Sequence, residues 1–477
     1  MADTATDIRT LIRADRTQPD SAAVAHVVVS VGFLAVGSLA ALAGLLSMAF
    51  PAFIPLGYGL IRAITMLALL VGFATLSVVG GAYYVLPRLT GAPLWNERLA
   101  GLGLVVIGVT TAVGIVVVGA GFGDGGEPLA LPWWLDLPML AGLAIPALVA
   151  LQTVRHRTEN RVYVTIPYVL IGLVAMPILY LATNLPGLTS LASTLGDLWF
   201  SSAYPVAAIV LPVIGIVYYA VVKDGRPLAG RQLASVGLWS LLFGAGWFGV
   251  AQLAGGPVPG WLGAVAAAGG LAFPVGMIVS TAALVATLEG SWRGEEETDP
   301  VVMTALAGTG LGVFVAILAA LAGFRSAATL LAFTPYWEAI TYGLVLGVIP
   351  LLIASWTYHA LPRMTGRRIT STDAVRRQVR LTLLGTGGVV LFLVIAGLVT
   401  GYSWAGGAFT GTFAAVGDAW GVATGPSRVL VGIAVVPGLV AVLGNLGLAS
   451  VIFGTLTQGR VGPQEVLVTA TGAEGDS

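Results

Sequence analysis

Three histidines, His26, His156 and His359, are the only imidazoles this chain offers to a transition metal, and it has no cysteine at all. The missing thiols remove disulfides, iron–sulfur clusters and thiolate catalysis together. Three imidazoles, each in a different part of the chain, match no local metal-binding spacing. The carboxylates that could do chemistry are equally few. Glu338 stands at the start of an apolar stretch, beside Tyr336 and Trp337, and Asp136 and Asp197 have similar settings. An ionisable group within a membrane segment is costly to bury and is a functional candidate by default, so Glu338 is the first candidate proton carrier.

The elements that must position these residues are apolar helices. The chain is 57% hydrophobic and 9% charged, where soluble domains carry roughly a quarter charged residues. The formal charge of zero gives no general attraction to nucleic acid, so the lipid bilayer is the expected surrounding. About 20 apolar residues span a bilayer, and twelve stretches qualify: 24–50, 58–86, 99–121, 133–154, 162–184, 196–222, 233–254, 261–288, 301–323, 334–361, 380–402 and 428–455. Placing the N-terminus inside puts 19 of the 22 basic residues on the inner side and only Arg62, Arg325 and Arg428 outside. That asymmetry predicts a multi-pass protein of the cytoplasmic membrane with both termini cytoplasmic. The expected organisation is a tail over 1–21, a membrane domain over 22–460 and an acidic tail over 461–477.

A motif repeats among these stretches. The second ends Tyr83-Tyr84-Val85-Leu86-Pro87-Arg88-Leu89-Thr90-Gly91, the sixth Tyr218-Tyr219-Ala220-Val221-Val222-Lys223-Asp224-Gly225, and the tenth Tyr358-His359-Ala360-Leu361-Pro362-Arg363-Met364-Thr365-Gly366. The aromatic pair returns after 135 and 140 residues, once every four helices. This predicts an all-α bundle in which a four-helix unit occurs three times, unlike carriers built from two halves of six helices.

Twelve helices in three groups of four, with related endings on helices two, six and ten, resemble subunit I of the heme-copper oxidase superfamily. The string from Tyr83 to Gly91, continued by Ala92-Pro93-Leu94-Trp95-Asn96-Glu97-Arg98-Leu99, is closest to the cbb-type cytochrome c oxidases and nitric oxide reductases. The resemblance implies six histidine ligands for two hemes and a copper, in the outer half of the membrane. Counting back from the repeated tyrosines puts those positions at Thr65, Ser202, Ala251, Gln252, Ile340 and Tyr342, and the branch's active-site tyrosine near Ala245. None of the six is histidine; His26 and His359 fall near the inner ends of their segments and His156 in an inner loop.

The resemblance therefore implies ancestry, and the expected protein is a degenerate subunit I homologue: a non-catalytic subunit of a respiratory-type complex, with other subunits of that complex as partners. No cofactor is expected, and a heme would need unconventional ligands, of which Met66 and Tyr342 are the candidates. Arg62 and Arg428 match family arginines near heme propionates, although interfacial snorkelling is the favoured reading of both. Two alternatives stand beside this one. The chain could be an electron-transfer protein with one unusually ligated heme, or a transporter or channel using the vacated cavities, with Glu338 or His359 carrying protons.

Overall fold

The computed structural model describes residues 20–124, 128–184, 190–222, 228–253, 256, 258–288, 299–407 and 413–457. Residues 1–19 of the first tail, the whole of the second, Lys223-Asp224-Gly225 at the end of the second motif copy and the side chain of Ala245 lie outside the described residues. Twelve helices among the described residues are long and apolar enough to cross a membrane: α1 (Ser21–Ala49), α2 (Tyr58–Thr90), α3 (Glu97–Gly119), α4 (Trp133–Arg155), α5 (Thr165–Thr183), α6 (Leu191–Val221), α7 (Arg231–Leu253), α8 (Gly260–Leu288), α9 (Pro300–Gly323), α10 (Pro335–Thr365), α11 (Thr372–Ala405) and α12 (Ser427–Thr457). Each corresponds to one predicted stretch.

Burial separates these helices into two classes. The most apolar windows of α2, α6 and α10 are 94% buried, against 39–56% for the other nine. The helices that carry the repeated motif are therefore the three at the centre of the bundle. Being apolar on all sides, they need protein all round. The outer nine turn large apolar side chains outward, such as Val116 on α3, Leu384 on α11 and Val436 on α12, as lipid-facing helices do.

The repeated motif has a physical reason. At the end of α2, Gly91 takes a left-handed φ of 65° and its N–H bonds Pro87 O; Gly366 at the end of α10 has φ 64° and bonds Pro362 O. Glycine adopts that conformation without steric cost, which makes it a helix stop. Arg88 and Arg363 fall in the last turns, where a cation is favoured by the helix dipole. Just before these stops the second residue of each aromatic pair turns to a common point. The rings of Tyr84, Tyr219 and His359 meet edge-on at centroid separations of 6.1, 6.3 and 5.8 Å. The Arg88 guanidinium lies 3.9 Å over Tyr84 and pairs with Asp20, while Arg363 donates to His359 O at 2.7 Å. Three sequence copies thus become one ring cluster at the end of the bundle where α1 starts and α12 finishes.

The three central helices share a second feature. Each contains π-helical turns, at Leu67–Thr75, Tyr204–Val210 and Gly343–Val348. These begin one or two residues after Thr65, Ser202 and Tyr342. Such widened turns are uncommon and concentrate at functional sites.

Glycines let the surrounding helices close in. Gly72 of α2 receives Phe33 of α1, and a Cβ on Gly385 of α11 would strike the backbone of Ala441 on α12. Backbone cannot give way as a flexible side chain can. Gly385→Val is expected to cost about 1–3 kcal/mol by overpacking, read as a lower Tm of the purified protein. An unchanged Tm would mean that α11 and α12 are not in direct contact there.

Candidate functional site

The six positions where the resemblance places histidine ligands lie in the half of the bundle away from the ring cluster. Thr65 is buried on α2 and donates its hydroxyl to Ile61 O at 2.8 Å, within its own helix. Ile340 is buried on α10, and Tyr342 reaches from α10 to α1, where its hydroxyl donates to Ala41 O at 3.4 Å. Gly44 makes room for it, since a Cβ there would come within 2.7 Å of the Tyr342 oxygen. Ser202 of α6 donates to Trp199 O at 3.0 Å. Ala251 and Gln252 lie in the 3-10 turn Phe248–Leu253 that ends α7, with Gln252 Nε2 at 3.5 Å from Gly249 O. That turn packs against α6 through Gly249, whose Cβ would approach Ser202 Oγ to 2.7 Å.

Hemes and copper need strong donors and space, and the residues present fit neither group. The six positions offer two aliphatic alcohols, two hydrocarbon side chains, an amide and a phenol; of these only a phenol is a known type of heme-iron ligand, and the hydroxyl of Tyr342 is turned to Ala41 O. Between the three central helices the cavity lined by Arg62, Met66, Leu70, Ser201, Thr341 and Leu344 holds about 20 Å³. That is room for one water, against the several hundred Å³ of a typical ligand pocket. Met66 lines this small space. Tyr204 bridges the core instead, with its hydroxyl 2.9 Å from Thr75 Oγ1 and its ring stacked on Phe200 at 4.8 Å.

The histidines lie elsewhere. His26 is buried near the start of α1, with Nδ1 2.7 Å from Ala22 O and its ring edge-on to Tyr83. His156 is exposed after α4, and His359 belongs to the ring cluster.

A charged contact joins the central helices on the side of the six positions. Arg62 Nε of α2 donates to Glu338 Oε1 of α10 at 2.9 Å, and both side chains are only 15% exposed. The Arg62 guanidinium is turned to a carboxylate 276 residues away in the chain. No local pattern reveals that partnership. The usable signal was that Arg62 and Glu338 stand three and two residues before equivalent positions in two copies of the repeat. Arg428 is exposed on α12. Its spacing to Asn445 corresponds to about 25 Å along a helix, and Asn445 is buried, donating to Ser38 Oγ at 3.2 Å and to Leu346 O at 3.3 Å. Asp136 accepts a hydrogen bond from the Tyr180 hydroxyl and lines a cavity of about 250 Å³ with Asp124 and Asp197.

A twelve-helix membrane bundle built around three buried, mutually related helices is the architecture these observations define. Residues 21–424 match the family model described as "Cytochrome C and Quinol oxidase polypeptide I", and the chain belongs to that family. Cytochrome c oxidase subunit 1 of Rhodobacter capsulatus is 24% identical over 406 residues, covering 77% of this chain and 73% of that protein. A heme-copper terminal oxidase dimer solved by electron cryo-microscopy superposes with a TM-score of 0.75 at 13% identity, over 93% of this chain and 85% of its own. At that identity the likeness is one of fold.

Proposed function

We propose that this chain is a subunit I homologue without redox centres, acting as a non-catalytic membrane subunit of a respiratory-type complex in the cytoplasmic membrane. The observation that carries the reading is the content of the ligand positions. Thr65, Ser202, Ala251, Gln252, Ile340 and Tyr342 supply no imidazole, and the cavity that Met66 and Thr341 line among the described residues holds about 20 Å³. Family membership gives ancestry and fold, while activity depends on the site. The tails and their basic flanks face the cytoplasm in this reading, as the distribution of arginines favours.

The test is a visible spectrum with a pyridine hemochrome assay and metal analysis on the purified protein. The expected result is no Soret band, no copper and no oxygen uptake attributable to this chain. Stoichiometric heme, or oxygen reduction that stays with the purified chain, would overturn the reading.

A further inference from the structure

The loop that joins α1 to α2, Phe50-Pro51-Ala52-Phe53-Ile54-Pro55-Leu56-Gly57, carries no polar side chain. It lies at the end of the bundle away from the ring cluster. Phe50, Phe53 and Leu56 are 55%, 74% and 36% exposed, whereas a loop that meets water is ordinarily polar.

The depth of the loop is set by α12. A Cβ on Gly432 would lie 3.6 Å from the tip of the Phe50 ring. Gly432 is one helical turn, about 6 Å, beyond Arg428 toward the middle of the span. Arg428 is exposed, and a guanidinium is costly in hydrocarbon, so the headgroups reach its level. Val429, Ile433 and Val436, on the same side of α12 as Gly432, are exposed too. The loop therefore starts on a lipid-facing stretch of α12, below the headgroups. Exposed Trp133, Trp261 and Trp404 stand at the ends of α4, α8 and α11 on this side, as interfacial tryptophans do.

The backbone is suited to the same surroundings. Pro51 and Pro55 have no N–H, the Phe50 N–H bonds Leu46 O, and the Phe53 N–H bonds Phe50 O at 2.9 Å. Four of the eight positions thus have no N–H that needs water, which lowers the cost of leaving it.

We propose that this loop is inserted in the adjacent leaflet, with Phe53 among the upper acyl chains. Its partner is the apolar part of the bilayer, reached without any charged contact. The loop leads directly into α2, whose most apolar window is 94% buried, so it brings lipid to the start of a helix otherwise enclosed by protein.

The chain has no cysteine, so Phe53→Cys gives a single attachment point for a nitroxide label. The labelled full chain is reconstituted in phosphatidylcholine liposomes, with oxygen and a water-soluble nickel chelate as collision partners on both sides. Oxygen enters hydrocarbon and the polar chelate does not. Val116→Cys on the lipid-facing side of α3 and His156→Cys in an exposed loop are the references. The oxygen-to-nickel collision ratio of Phe53→Cys is expected to be several-fold above that of His156→Cys and close to that of Val116→Cys. A ratio equal to that of His156→Cys would place the loop in water and overturn the proposal. A label that neither reagent reaches would also overturn it, by showing that protein covers the loop. Ala52→Cys, likewise exposed, is read in the same way and decides the matter if Phe53→Cys does not fold.

Discussion

Glu338→Ala is expected to destabilise the protein by about 3–5 kcal/mol, the scale observed when one partner of a buried ion pair is removed. The Arg62 and Glu338 side chains are only 15% exposed, so solvent screening that reduces surface pairs to under about 1 kcal/mol is weak here. What the substitution removes is the carboxylate facing a guanidinium that cannot lose its charge. Glu338→Gln keeps the shape and the acceptor oxygen but not the charge, and should fall between wild type and Glu338→Ala. The double change Arg62→Met with Glu338→Leu removes both charges and should recover most of the loss. Tm of wild type, Arg62→Met, Glu338→Leu and the double variant forms a double-mutant cycle. If Glu338→Ala proves no less stable than the double variant, the pair contributes nothing by its charge and this account fails.

Tyr342→Ala is expected to cost about 3–5 kcal/mol, as aromatic truncations in cores do. Tyr342 is 2% exposed and fills the gap between α10 and α1, where Gly44 admits its hydroxyl. Tyr342→Phe should cost under about 1.5 kcal/mol, because the bond to Ala41 O is long at 3.4 Å. The same pair of variants separates packing from ligation. A packing residue makes the ring matter and the oxygen nearly dispensable. An axial tyrosinate would reverse that order, and Tyr342→Phe would then abolish any Soret band. The expected outcome is a large stability loss for alanine, a small one for phenylalanine, and no spectral difference.

All twelve helices were legible because hydropathy is local: a span announces itself within its own 20 or so residues. The threefold repeat was legible because its signal is a helix stop, with Gly91 and Gly366 doing the same work at the same place in two copies. The pairing of Arg62 with Glu338, the contact of Gly249 with Ser202 and the bridge from Tyr204 to Thr75 were not. Each joins separate helices, and hydropathy carries no term for which two helices touch. The π-helical turns escaped for a related reason. Apolar segments such as Leu67–Thr75 and Gly343–Val348 read alike whether their hydrogen bonds run to the fourth or the fifth residue.

The sequence by itself determined that this chain lives in a bilayer, that it repeats in fours, and that the positions where the resemblance places ligands hold no histidine, since each is a property of residue identity and spacing. Only the tertiary structure decided that the three repeat-bearing helices are the buried ones, that Tyr84, Tyr219 and His359 form one cluster, and that Tyr342 and a buried ion pair lie among the central helices near the candidate ligand positions. Those outcomes depend on close packing between segments more than a hundred residues apart, where a glycine or an opposite charge on the facing helix sets the fit.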